Sequence, residues 1–274
     1  MEQLRHMPQP TEPLYKYLSL AENQTPSWQS RLTQLFAGEC FLPSAADFND
    51  PFDCIPYADT PSSREDIAAG QERLVSQMAE AIRRHLPAQF VEGKIREHLR
   101  AKSPEEINDG FQMGIRKNAE SMGVFCLAEC IDSVLMWSHY ASNHSGIALR
   151  FDFRRQVHGG LAPLWKVQYQ ADRPVLSHFF GANPSDPDSD RKLPDALATK
   201  ALFWAYEQEW RSMKPDRARQ TVRFNPEVIT GLVLGASCRA DNEEWIRSFV
   251  KGRGLDLERV QPNRKTFELS LVPA

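Results

Sequence analysis

Gly123-Val124-Phe125-Cys126-Leu127-Ala128 and, further along, Ser145-Gly146-Ile147-Ala148-Leu149-Arg150-Phe151 are apolar runs of strand length bounded by turn residues. Between them, Ser133-Val134-Leu135-Met136-Trp137-Ser138-His139-Tyr140-Ala141 has helical spacing behind an N-cap at Asp132 or Ser133, but it makes only a short helix. Residues 164–169, 228–234, 257–260 and 267–271 supply more strands, and 241–250 a helix. Strands that follow one another without long intervening helices predict an α+β fold with a mixed, largely antiparallel sheet, not a doubly wound parallel one.

Working outward, Leu14-Tyr15-Lys16-Tyr17-Leu18 alternates as a strand. Thr25 and Pro26 have the chemistry of an N-cap and a first helical position. Trp28, Leu32, Leu35 and Phe36 then fall at helical spacing, with Gly38 as the stop. Glu39-Cys40-Phe41-Leu42 reads as a second strand. The following residues, 44–53, form a loop with Phe48 and Phe52 as core anchors. Residues 62–119 are rich in Glu, Arg, Gln and Ala and fit three helices, the third opened by a capping box in Ser103-Pro104-Glu105-Glu106. We expect a single α+β domain over 1–274 with an inserted helical block at 62–119. Residues 182–194 read as a surface loop and 193–204 as a helix, whereas 207–211 fit a helix extension or a strand equally.

Composition removes several classes. The 274 residues carry 33 Lys+Arg against 36 Asp+Glu, a net charge of -3. This leaves no general basic surface for nucleic acid. With no apolar run near the ~18 residues of a membrane span, and no apolar segment at the N-terminus, a cytoplasmic protein is expected. The five cysteines are irregularly spaced and read as small buried hydrophobes. Cys126 and Cys130, with His139 and His144, could be tested as a zinc site, but strand positions four apart lie ~13 Å from each other. No metal site is assigned. P-loop, dinucleotide-binding, His-Glu-x-x-His and Gly-x-Ser-x-Gly signatures are all missing.

Four clusters remain. In Phe48-Asn49-Asp50-Pro51-Phe52-Asp53, Asn49 and Asp50 suit either an Asx turn or a ligand. In the second, Trp137 and Tyr140 share a helix face and His139 projects elsewhere, while Asn143-His144-Ser145-Gly146 breaks the helix at the edge of a strand. The third is Trp204-Ala205-Tyr206-Glu207-Gln208-Glu209-Trp210-Arg211. As a strand it puts Glu207, Glu209 and Arg211 on one face, with neighbouring carboxylates ~7 Å apart beside a guanidinium. As a helix it is a solvated charged face. The fourth is Lys16, between Tyr15 and Tyr17, a counter-charge for phosphate or a solvent-facing residue.

In this order, Leu14-Tyr15-Lys16-Tyr17, Phe48-Asn49-Asp50-Pro51-Phe52, Met136-Trp137-Ser138-His139-Tyr140-Ala141 with His144-Ser145-Gly146, and 204–211 resemble a bacterial family catalogued as domain of unknown function 2971. Asp53 stands where its members commonly have Glu, and Ala128 where they often have Ser. The layout of a basic first strand, an aromatic helix and a late Glu-x-Glu also looks like that of ADP-ribosyltransferases. That resemblance implies NAD as substrate and Glu209 as the catalytic carboxylate. It also implies that Glu207 orients the ribose or acceptor, Tyr140 or Trp137 stacks on nicotinamide, and Lys16 meets phosphate. His139, His144, Asn49, Asp50 and Arg211 complete the expected ligand-binding set, and a small-molecule nucleotide is the expected partner. Two alternatives stand beside it: a Mg2+-dependent nuclease or hydrolase in which Asp47, Asp50, Asp53 and a glutamate hold the ion and a lysine such as Lys16 assists phosphate chemistry, and a non-catalytic ligand-sensing module in defence or stress response.

Overall fold

A computed structural model describes residues 9–21, 26–59, 93–94, 97, 102–155, 160–177 and 189–274. In chain order its first elements are β1 (Leu14–Leu18), α1 (Trp28–Phe36), β2 (Glu39–Leu42), β3 (Tyr57–Asp59), α2 (Pro104–Ser121), β4 (Gly123–Ala128), α3 (Val134–Tyr140) and β5 (Ile147–Phe151). Next come β6 (Leu164–Lys166), β7 (Gln168–Gln170), β8 (Val175–Ser177), α4 (Ser189–Leu197), β9 (Thr199–Ala201) and β10 (Glu209–Lys214). The chain ends with β11 (Gln220–Arg223), β12 (Ile229–Leu234), α5 (Ala240–Val250), β13 (Asp256–Pro262) and β14 (Leu269–Pro273).

Two compact units are formed, and each is described by itself: Met1–Pro43 with Gly123–Val167 and Phe203–Ala274, and Ser44–Met122 with Gln168–Leu202. The first holds an eight-stranded sheet in the order β14-β13-β12-β5-β1-β4-β10-β6. All its pairings are antiparallel except β12 with β13, so the fold is α+β with a mixed, mostly antiparallel sheet.

The strand period of two sorts side chains between two cores. Ile147, Leu149 and Phe151 of β5 and Leu232 and Leu234 of β12 enter one, while Ala148 and Val233 enter the other. α1 and α5 cover the first face, with Trp28 edge-on to Trp245 at 4.9 Å and Phe36 to Phe249 at 5.2 Å. α3 covers the second: Trp137 is fully buried, 5.1 Å from the Tyr17 ring, and donates its indole N–H to the Ile131 carbonyl at 2.6 Å. Burying a tryptophan with its one donor satisfied is a packing role.

In the second unit β3 pairs with β8 and β7 with β9, both parallel, and Ile115, Leu176 and Ala196 form a small core. The expected capping box is present on α2, with Ser103 Oγ accepting from Glu106 N at 3.2 Å and Glu106 Oε2 from Ser103 N at 2.7 Å.

Several local expectations are corrected. Ser27, not Thr25, caps α1, its hydroxyl accepting from Ser30 N at 3.3 Å. Residues 164–169 are two strands, because Val167 N donates to Glu209 and Gln168 N to Ala198. The helix expected over 193–204 stops at Leu197, gives way to β9, and is followed by a 3-10 turn over Leu202–Glu207. Residues 189–194 of the expected surface loop are helical, and 182–188 lie outside the described residues. So do the first two expected helices of 62–119, apart from 93–94 and 97. Phe52 is exposed beneath the Arg173 guanidinium at 5.4 Å, so it does not anchor its loop in a core.

Candidate functional site

β10 starts at Glu209 because Gln208 adopts φ 46°, a left-handed backbone that ends the preceding turn and sends the chain into the sheet. Only Glu209 and Arg211 therefore share a strand face, and Glu207 closes the turn before them. Arg211 Nε donates to Glu209 Oε1 at 2.9 Å and Nη2 to Oε2 at 2.8 Å, a two-pronged ion pair. Arg211 has no solvent exposure and Glu209 only 5%, so the pair is held where water cannot screen it.

Glu207 is also buried, and its Oε1 accepts from the Tyr140 hydroxyl at 2.6 Å. α3 positions that hydroxyl. Its N-cap is Ser133, whose Oγ accepts from Met136 N at 3.3 Å, and Trp137 pins the helix to the sheet. The exposed His139 ring lies 6.3 Å from both the Tyr140 and Tyr206 rings. Just beyond the end of β4, the Cys130 thiol donates to the Tyr206 carbonyl at 3.3 Å. Burial pushes the Cys126 thiol well above the usual range and Glu209 adds to it, with Arg211 and Lys16 opposing, so Cys126 remains a neutral thiol.

Registers across the sheet set out one row: Asp256, Gly231, Arg150, Tyr15, Ala128 and Glu209. Paired residues face the same side, so this row lies on the face that α3 covers. A cleft of about 580 Å³ opens beside it, lined by Tyr15, Cys130 and Gln208 among others.

The other expected residues are distributed unevenly. Lys16 lies on the opposite face with Leu14 and Leu18; its Nζ donates to the Cys126 carbonyl at 3.0 Å and sits 4.7 Å over the Phe125 ring. Its ammonium is engaged inside the sheet. His144, at the turn into β5, makes its side-chain hydrogen bond with Ser138 Oγ at 3.2 Å. Asn49 and Asp50 belong to the second unit. Asn49 is exposed, and Asp50 Oδ1 accepts from Phe52 N at 2.9 Å in an Asx turn. The eight-stranded unit thus contains Lys16, Trp137, His139, Tyr140, His144, Glu207, Glu209 and Arg211, and contacts join Tyr140 to Glu207 and Glu209 to Arg211.

The acids of the Mg2+ alternative have other partners: Asp47 accepts from Ser44 N at 3.2 Å, and Asp53 pairs with Lys200 at 3.4 Å. Among the described residues no three His, Cys, Asp or Glu side chains are grouped to hold a metal ion. Tyr206 and Cys130, which brace the carboxylate turn, were not singled out as site residues by sequence. Tyr206 was visible in the aromatic run; the Cys130 contact depends on how β4 ends.

Residues 136–212 match the model of a protein family of unknown function, DUF2971. The resemblance read from the motifs is thereby shown over this stretch. The DUF2971 match runs from Met136 in α3 to Ser212 in β10, so it takes in Trp137, Tyr140, Glu207, Glu209 and Arg211 while Lys16, Asn49 and Asp50 lie before it. No curated protein and no solved structure matches the chain. No helix among the described residues is long and apolar enough to cross a membrane.

Proposed function

We propose that this chain is an NAD-consuming enzyme of the ADP-ribosyltransferase type, with Glu209 as the catalytic carboxylate. The observation that carries this reading is the buried, two-pronged Arg211–Glu209 pair on a sheet strand, next to the Tyr140–Glu207 hydrogen bond. A carboxylate fixed in a water-poor site is suited to stabilise positive charge that develops only in the transition state.

In the reaction, the bond between ribose C1′ and the nicotinamide nitrogen breaks, and its electron pair leaves with nicotinamide, cancelling the pyridinium charge. Glu209, through the neighbouring ribose hydroxyl, stabilises the oxocarbenium-like C1′. The oxygen of water or of an acceptor hydroxyl then bonds to C1′, and its proton passes to Glu207 or to solvent. Arg211 orients Glu209, and Tyr140 orients Glu207. His139, Tyr140 and Tyr206 supply the aromatic surface for nicotinamide, because Trp137 is enclosed in the core.

The test is nicotinamide release from NAD, followed chromatographically. Glu207→Gln, which retains an acceptor for Tyr140, is expected to slow release by ~10²–10³-fold with little change in melting temperature. Glu209→Gln should abolish release but also leaves Arg211 buried without its partner, so its folding is checked separately. Wild-type protein that neither releases nicotinamide nor is thermally stabilised by NAD would sink the proposal.

A further inference from the structure

A second cleft, of about 830 Å³, opens along the same sheet, lined by Arg150, Thr230 and Asp256 among others. This volume is in the range that accommodates nucleotide-sized ligands. Four guanidinium groups line it, those of Arg150, Arg154, Arg155 and Arg253, against three carboxylates. With Glu258, which pairs with Arg150, the acids equal the guanidiniums in number, so what matters for an anion is which guanidiniums are left without a close carboxylate.

The four arginines are not equivalent. Arg154 is committed to Asp152, with Nε at 2.7 Å and Nη2 at 2.9 Å, and Arg155 only approaches that same carboxylate, at 3.8 Å. Arg150 is held by Glu258 at 3.0 Å and by Asp256. Gly231 lets it lie flat: a Cβ there would come within 3.0 Å of Arg150 Nη2. Arg253 differs from all three. Its Nε donates to the Phe249 carbonyl at 2.8 Å, its plane sits 4.5 Å over Phe249 and 5.9 Å from Phe36, and among the described residues it has no acidic partner. Two rings and a carbonyl therefore hold a planar fork of donors at the cleft wall without neutralising it.

We propose that this cleft binds a small phosphate-bearing ligand, engaged by Arg253 and Arg155, with Arg150 and Arg154 as fixed positive walls. Guanidinium forks match pairs of phosphate oxygens, and one already oriented by stacking loses little freedom on binding. Asp256, exposed at the rim, opposes the anion, while Glu258 would keep Arg150 in place without it.

Isothermal titration of the full chain with pyrophosphate tests this at fixed ionic strength, and it requires neither NAD nor turnover. Arg253→Gln is expected to weaken binding at least tenfold and Arg155→Gln severalfold, both with near-native melting temperatures since these side chains are exposed. Asp256→Asn should tighten it. ADP binding more strongly than pyrophosphate would assign the cleft to nucleotides, and equal affinity to simple phosphates; either supports the site. Absence of pyrophosphate binding at millimolar concentration, or binding unchanged in both arginine variants, overturns it.

Discussion

His144 sits in a run of three left-handed residues, Ser142, Asn143 and His144, at φ 49°, 52° and 68°. Such geometry is uncommon outside glycine and asparagine, and here it is braced by backbone bonds from His144 N to Trp137 and from Ser237 N to His144. Burial lowers the imidazole pKa below its ordinary value, since the protonated form is poorly solvated. Between the folded pKa and the ordinary value near 6.5, the unfolded chain therefore binds more protons, and stability rises with pH across that window. The melting temperature should fall as pH drops through 6.5 toward the lower folded value. His144→Asn, which tolerates the left-handed backbone, should flatten that part of the curve; an identical pH profile in the variant would refute the assignment.

At the scale of elements, the join of α3 to β5 depends on Gly146. Its amide donates to the Ala141 carbonyl at 2.7 Å and its own carbonyl accepts from Gly235 at 2.9 Å. A Cβ at Gly146 would overlap the Leu18 carbonyl oxygen and come within 2.9 Å of the Ala141 backbone, and neither can move without shifting β1 or the end of α3. Gly146→Ala should destabilise the protein by more than ~2 kcal/mol, at the upper end for single substitutions, as read by denaturant unfolding. α3 itself was legible in sequence, because a serine cap and helical spacing are local signals. The turn at 202–207 was not. Glu-x-Glu-x-Arg satisfies strand and helix patterns alike, and the left-handed Gln208 that decides between them follows from packing around Cys130 and β4.

For the molecule as a whole, the eight-stranded sheet buries both faces of its central strands under two core clusters, whereas the two-stranded β3–β8 and β7–β9 sheets contribute nothing to those clusters. Local opening free energies should follow that difference. Hydrogen exchange read by mass spectrometry is expected to show the slowest amides in β1, β4, β5 and β12, and much faster exchange in β3, β7, β8 and β9. Equal protection in the two sets would contradict it. Much of this sheet could be read in advance, because alternation along β1, β5 and β12 is written residue by residue. By itself the sequence determined the α+β class, most of the strands, the α3 cap and the DUF2971 motifs, all of which rest on short-range periodicity and turn chemistry. Only the tertiary structure decided that Lys16 is engaged within the sheet, that Arg211 closes on Glu209, and that Arg150 and Arg253 meet at one cleft. Those outcomes depend on strand order and register, which bring distant residues side by side and leave no local mark along the chain.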